Sequence, residues 1–118
     1  MPAEIAARVV PGLCRTAVEA AFTEAVWRRE LRAGRGHAEI EDDLEAASAR
    51  LNLLASLALT GDGSRGGEVL RTLNAWGPRF VDTYRALNKG AHVAHDGDLG
   101  LLTGDTRKLV GKINGMLS

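Results

Sequence analysis

The sequence predicts an all-α fold, an antiparallel bundle of four or five helices, and three observations carry that prediction. Apolar residues recur at helical spacing, most regularly at Ile40, Leu44, Ala47, Leu51, Leu54 and Ala58, where steps of four and three alternate. Glycine- and proline-containing stretches cut the chain into segments of helix length. No segment shows the alternation expected of a half-buried strand. With 118 residues the chain can bury one core and not two, so residues 1–118 are read as a single helical domain.

The first long helix is expected from Gly12 to Ala33, because the fixed φ of Pro11 suits a first helical turn; residues 3–10 add a short turn before it. Its apolar residues include Leu13, Ala17, Val18, Ala20, Phe22, Val26, Trp27 and Leu31. They cover more than a narrow stripe and predict contact on two sides. After the break "AGRGH" (Ala33 to His37), the Ile40 to Ala58 stripe predicts one continuous second helix, apolar all round at Leu53, Leu57 and Leu59. "TGDGSRGG" (Thr60 to Gly67) ends it as a loop. A short third helix is expected over Glu68 to Ala75, and Gly77 with Pro78 restarts the chain into a fourth that reaches at least Lys89. "HDGDLGLLTGD" reads as loop or irregular helix, after which Thr103 or Asp105 caps a last helix running to Met116.

Composition narrows the function. Hydrophobic residues at 45% and charged residues at 25% fit a globular protein, and aromatics at 4% make its core aliphatic. Fifteen basic residues balance fifteen acidic ones, so no global field gathers nucleic acid or anionic membrane and any such contact must be local. Cys14 is the only cysteine, which excludes an intrachain disulfide and a cysteine-based zinc site; a reducing cytoplasm is the expected compartment. The longest apolar stretch, Leu51 to Leu59, falls short of the roughly 20 residues that span a bilayer, and no leader-like segment precedes the first helix. No membrane partner is expected. "GDTRKLVGKI" lacks the length and the Ser or Thr of a phosphate-binding loop. His37, Glu39, His92, His95, Asp96 and Asp98 match no zinc or calcium spacing, so neither a metal nor another cofactor is expected.

The stretch "TYRALNKGAHVAH" (Thr83 to His95) carries the candidate chemistry. With Phe80 at zero on a helical wheel, Tyr84, Leu87 and Ala91 fall within about 40° of it as a packing stripe. Arg85, Asn88, His92 and His95 then share an adjoining edge, between roughly 60° and 140°, if the helix continues through Gly90. Histidine exchanges protons near neutral pH, arginine holds charged phosphoryl oxygens, and an amide orients a ribose or phosphate. One rigid edge bearing all three suits metal-free phosphodiester chemistry.

An all-α bundle carrying arginine, four to six residues, then histidine resembles the HEPN domain family. The matching residues are Arg85-Ala-Leu-Asn-Lys-Gly-Ala-His92. The resemblance implies a metal-independent endoribonuclease acting as a homodimer, with two facing motifs forming one site where a ribose 2′-hydroxyl attacks the adjacent phosphate. It implies His92 as acid and base, Arg85 on the scissile phosphate and Asn88 in support. Lys89, His95, Arg32 and Arg35 are the candidate RNA-binding residues. It further implies a toxin or defence role and a regulatory or ATPase partner domain, since such domains are often appended to longer proteins.

Two alternatives stand beside this reading. Arg32-Ala-Gly-Arg-Gly-His37 also fits the spacing, but two glycines separate His37 from the helix that carries Arg32, so Arg85 and His92 are preferred. The basic run Arg28, Arg29, Arg32 and Arg35 can track a phosphate backbone, or can instead pair with the acidic stretch Glu39 to Glu45 across the turn, each run complementing a helix dipole. The competing function is a non-enzymatic helical dimerisation or binding module, with the Ile40 to Ala58 stripe as bundle core or dimer seam.

Overall fold

A computed structural model describes residues 2–48, 50–90 and 98–116. It contains six helices: α1 (Ala3–Arg32), α2 (His37–Ala47), α3 (Leu51–Thr60), α4 (Gly66–Trp76), α5 (Pro78–Gly90) and α6 (Leu99–Gly115). Among the described residues there is no strand, and no helix is long and apolar enough to cross a membrane.

Helix α1 is the axis of the assembly. It packs against α2, α3, α5 and α6, while α4 closes the far side against α3 and α5. The contact face is a stripe at helical spacing, Cys14, Val18, Ala21, Phe22, Ala25 and Val26, all buried. Val18, Phe22 and Val26 are fully buried, each contributing about 1.5–3 kcal/mol of transfer free energy. Leu51, Leu54, Leu73, Leu87, Leu109 and Ile113 from the surrounding helices complete the core.

The helix count differs from the expected four or five because a predicted single helix is two. Ser48 adopts extended backbone angles after Ala47, and its hydroxyl donates to the Glu45 carbonyl at 2.8 Å, offering the backbone an alternative to the next helical turn. The stripe survives the break: Ile40, Ala47, Leu51, Leu54 and Ala58 are buried and Leu44 is half-buried. It forms the chain's own core, so it is not free to serve as a dimer seam.

Both ends of the chain depart from expectation in the same direction. Helix α1 runs through Pro11 instead of starting after it; the ring removes one internal donor and is itself buried, so the turn is tolerated. Helix α6 starts at Leu99, capped by the Asp98 carboxylate, which accepts from the Leu101 backbone N–H at 3.0 Å. Thr103 and Asp105, the expected caps, lie inside that helix. The predicted two-sided contact of α1 is one-sided. Ile5, Val9, Leu13 and Leu31 point away from the core, with Leu13 at 63% exposure.

Two glycine turns fix how α1 meets its neighbours. Gly34 ends α1 at φ +82°, with its N–H donating to Leu31 and that of Arg35 to Glu30, a Schellman arrangement that turns the chain toward α2. Gly61 ends α3 at φ +80°, and Arg29 of α1 lies over it, donating to the Leu59 carbonyl at 3.1 Å and the Ala58 carbonyl at 3.4 Å. A cation there satisfies carbonyls that the helix end leaves open and opposes the dipole. A Cβ on Gly61 would sit 3.2 Å from Arg29 Nε. Gly61→Ala should therefore lose about 1–2 kcal/mol in chemical denaturation, from the strained φ and the displaced cap together.

Candidate functional site

Helix α5 begins at Pro78, whose missing N–H is no loss at a first helical position. Thr83, Tyr84 and Leu87 are buried, and Phe80 is half-buried against Trp76, ring edge to ring face at 6.4 Å. The Tyr84 hydroxyl donates to Asn52 Oδ1 of α3 at 3.0 Å, and Thr83 donates back to the Arg79 carbonyl at 2.9 Å. Arg79 reaches Asp105 of α6 at 3.2 Å. The helix is thus pinned to α3 and α6 along its inner side.

Its outer side carries Asp82, Arg85, Asn88 and Lys89, all exposed. Asn88 and Lys89 lie three and four positions after Arg85, which places the Cβ atom of each about 5–6 Å from that of Arg85. None of the three makes a hydrogen bond or ion pair among the described residues. The helix extends to Gly90, so the edge is continuous up to that residue. His92 and His95 lie outside the described residues.

The arginines of α1 stand in contrast. Arg28 pairs with Glu24 at 2.6 Å and donates to the Asn114 carbonyl at the end of α6 at 3.0 Å; Arg29 caps α3. Arg35 pairs with Asp43 at 2.6 Å, Glu30 at 3.3 Å and Glu39 at 3.5 Å. Hydrogen bonds to Asp43 and Glu30 push its guanidinium further up from an already high pKa. Three carboxylates hold it at the α1–α2 corner, where it neutralises the buried Glu30. Of the run, only Arg32 is exposed without a partner among the described residues. His37 starts α2 beyond the turn, exposed, its ring 5.4 Å from Trp27. Arg32 and His37 therefore sit on different helices.

Some contributors were invisible to sequence reasoning. Asn52, inside the apolar stretch Leu51 to Leu59, is the acceptor that seats Tyr84. Arg29 looked like one of a charge cluster and is a helix cap. A groove of about 450 Å³ between α1 and α6, lined by Cys14, Ala17 and Thr106 among others, had no signal beyond small residues at helical spacing. No group of three His, Cys, Asp or Glu that could hold a metal occurs among the described residues.

No protein-family model, curated protein or solved structure matches the chain.

The seating of α5 makes two predictions. Burial, partly opposed by the charge of Arg15, pushes the Tyr84 phenol up to about 12. An unfolded chain ionises the same group near 10, so it loses its proton first as pH rises. The stability that the buried neutral phenol contributes is present below about pH 10 and should fall by at most ~1.4 kcal/mol per unit between about 10 and 12. As Tyr84 is the only tyrosine, tyrosinate absorbance should report this directly, with a midpoint near 12. At the corner, Arg35→Gln should lower the thermal midpoint clearly and Arg32→Gln should leave it unchanged, because only the first strands a buried carboxylate.

Proposed function

We propose that the chain is a HEPN-like, metal-independent endoribonuclease domain that cuts RNA as a homodimer, in the role of a toxin or defence effector under a regulatory or ATPase partner. The observation that supports this best is the free outer edge of α5. Arg85, Asn88 and Lys89 project from a helix pinned on its adjoining face by Tyr84, while the other clustered arginines are mostly spent within the chain. Preorganised donors on a rigid element are what phosphoryl chemistry requires.

In the proposed reaction His92 removes the proton of a ribose 2′-hydroxyl, and the 2′-oxygen forms a bond to the neighbouring phosphorus as the bond to the 5′-oxygen breaks. A protonated histidine, supplied by the second copy, returns a proton to the leaving 5′-oxygen. Arg85 holds the phosphoryl oxygens, where charge builds in the transition state, and Asn88 orients the sugar–phosphate. Lys89, His95 and Arg32 contact flanking phosphates in the same picture. Arg35 is the weakest of the four candidate RNA-binding residues, since any phosphate must compete with three carboxylates.

A second reading is a non-enzymatic helical dimerisation or binding module. The line Ile5, Val9 and Leu13 on the outer side of α1 favours it, because apolar residues at steps of four normally face another element.

Labelled RNA incubated with the protein in EDTA should yield 2′,3′-cyclic phosphate ends. Arg85→Ala and His92→Ala, checked for folding by circular dichroism, should each slow cleavage by at least ~100-fold. Cleavage that persists in both variants, or that never appears, overturns the enzymatic reading and leaves the binding module.

A further inference from the structure

Helix α6 carries charge that neither the bundle nor the α5 site uses. Its segment "RKLVGK", Arg107 to Lys112, holds three cations, and residues 106–116 contain no acid. The whole chain is neutral, so this is a local excess. Arg107, Lys108 and Lys112 are exposed, and none makes a hydrogen bond or ion pair among the described residues. Asp105, the acid nearest to them in sequence, is engaged by Arg79 at 3.2 Å. Cations in a last helical turn answer the helix dipole, which accounts for Lys112 and not for Arg107 or Lys108 in the middle of the helix.

With Gly111 at zero on a helical wheel, the buried residues Leu102, Thr106, Leu109 and Ile113 fall within about 40° of the opposite direction. Gly111 and Gly104 thus form the crest of the exposed side. Arg107 flanks it at about −40°, and Lys108 and Lys112 flank it on the other side at about +60° and +100°. A Cβ at Gly104 or Gly111 would meet nothing within 4 Å, so packing does not call for glycine there. The crest is bare backbone between cations, open to close approach.

We propose that this side of α6 binds the sugar–phosphate backbone of RNA beyond the cutting edge, an inference that rests on the RNA-cleaving reading of α5. The three cations diverge along more than a turn of helix, which suits a repeating charge, whereas a single compact anion needs converging donors. Lys108 and Lys112 stand about 6 Å apart along the axis and can take successive phosphates. A second copy docked through the same face would set cation against cation. A membrane-seated helix needs an apolar anchor, and no exposed large apolar side chain lies between Arg107 and Lys112. Lys108 lines one pocket with Gly77, Pro78 and Arg79 at the start of α5, whereas Lys89 lies about 15 Å further along that helix. A strand must run for several nucleotides to touch both surfaces, so the α6 side favours long RNA over short.

Fluorescence anisotropy of the full chain with labelled 2′-fluoro polyuridine, a single strand that cannot be cleaved, tests this across a salt series. Lys108→Gln and Lys112→Gln should each lower the slope of log affinity against log salt by about 0.7, the contribution of one neutralised phosphate. Lys108→Arg and Lys112→Arg should keep the slope. Arg71→Gln, which removes the same charge from an exposed position on α4, should leave it unchanged, with circular dichroism confirming the fold of each variant. Binding whose slope is unaltered in both glutamine variants overturns this surface, whatever the cleavage assay gives. A lowered slope in a protein that cleaves no ordinary RNA upholds the surface and overturns the enzymatic reading. Absence of any RNA binding overturns both. So does a self-association in sedimentation velocity that Lys108→Gln abolishes and RNA leaves intact overturn the surface, since the exposed Glu41, Asp42 and Glu45 of a second copy would then cover it.

Discussion

The architecture depends on one face of one helix. Helix α1, with its buried stripe from Cys14 to Val26, packs against α2, α3, α5 and α6, and α4 packs against α3 and α5. In a chain with 4% aromatics, Phe22 is the large side chain at the centre of that face, and the rest is aliphatic. Interiors pack at crystal-like density, so four helices sharing one ridge constrain one another's positions closely. The placement of α5, and so of its outer edge, follows from this constraint together with the Tyr84–Asn52 hydrogen bond to α3.

The same constraint explains how charge is allocated. Arginines near the end of α1 lie where three other helices end or begin, and they are used there. Arg28 meets the last turn of α6, Arg29 caps α3, and Arg35 is clamped between α1 and α2. Exposed ion pairs alone would be worth little, about 0–1 kcal/mol each. Capping carbonyls and neutralising the buried Glu30 are different, because losing either leaves a polar group without a partner in a poorly solvated place. A cluster that reads as an RNA track in the sequence is largely occupied in the fold. Arg85, Asn88 and Lys89 of the α5 edge have no side-chain partner among the described residues.

Periodicity made much of the fold legible. The stripe from Ile40 to Ala58 is buried or half-buried as its spacing implies, and Pro78 marks the start of α5. The misses share a physical form, a local preference overruled by context or by a side chain acting on the backbone. Pro11 suggested a helix start, but its buried ring sits within one long helix. Ser48 gave no warning of a break, since neither glycine nor proline is near, and the competing hydrogen bond to Glu45 appears only in three dimensions. Asp98 capped a helix whose first turns contain Gly100 and Gly104, residues that weakened the helical signal there. Of the candidate edge, the exposure of Arg85 and Asn88 follows from wheel geometry once α5 is helical, while His92 and His95 lie outside the described residues. That Arg35 is committed to Glu39 and Asp43 follows the pairing with the acidic stretch across the turn that the sequence offers, whereas the capping of α3 by Arg29 depends on long-range packing, which no local pattern encodes.

The fold ties down Arg28, Arg29 and Arg35, and the α5 edge is the surface proposed to meet RNA. Amide chemical-shift mapping with a short single-stranded RNA tests it most directly, in EDTA and with 2′-fluoro in place of each 2′-hydroxyl to prevent cleavage. The account predicts shifts concentrated at Arg85, Asn88 and Lys89, with Arg28, Arg29 and Arg35 unmoved. Shifts concentrated on Arg28 to Arg35, or no shift on α5, would contradict it.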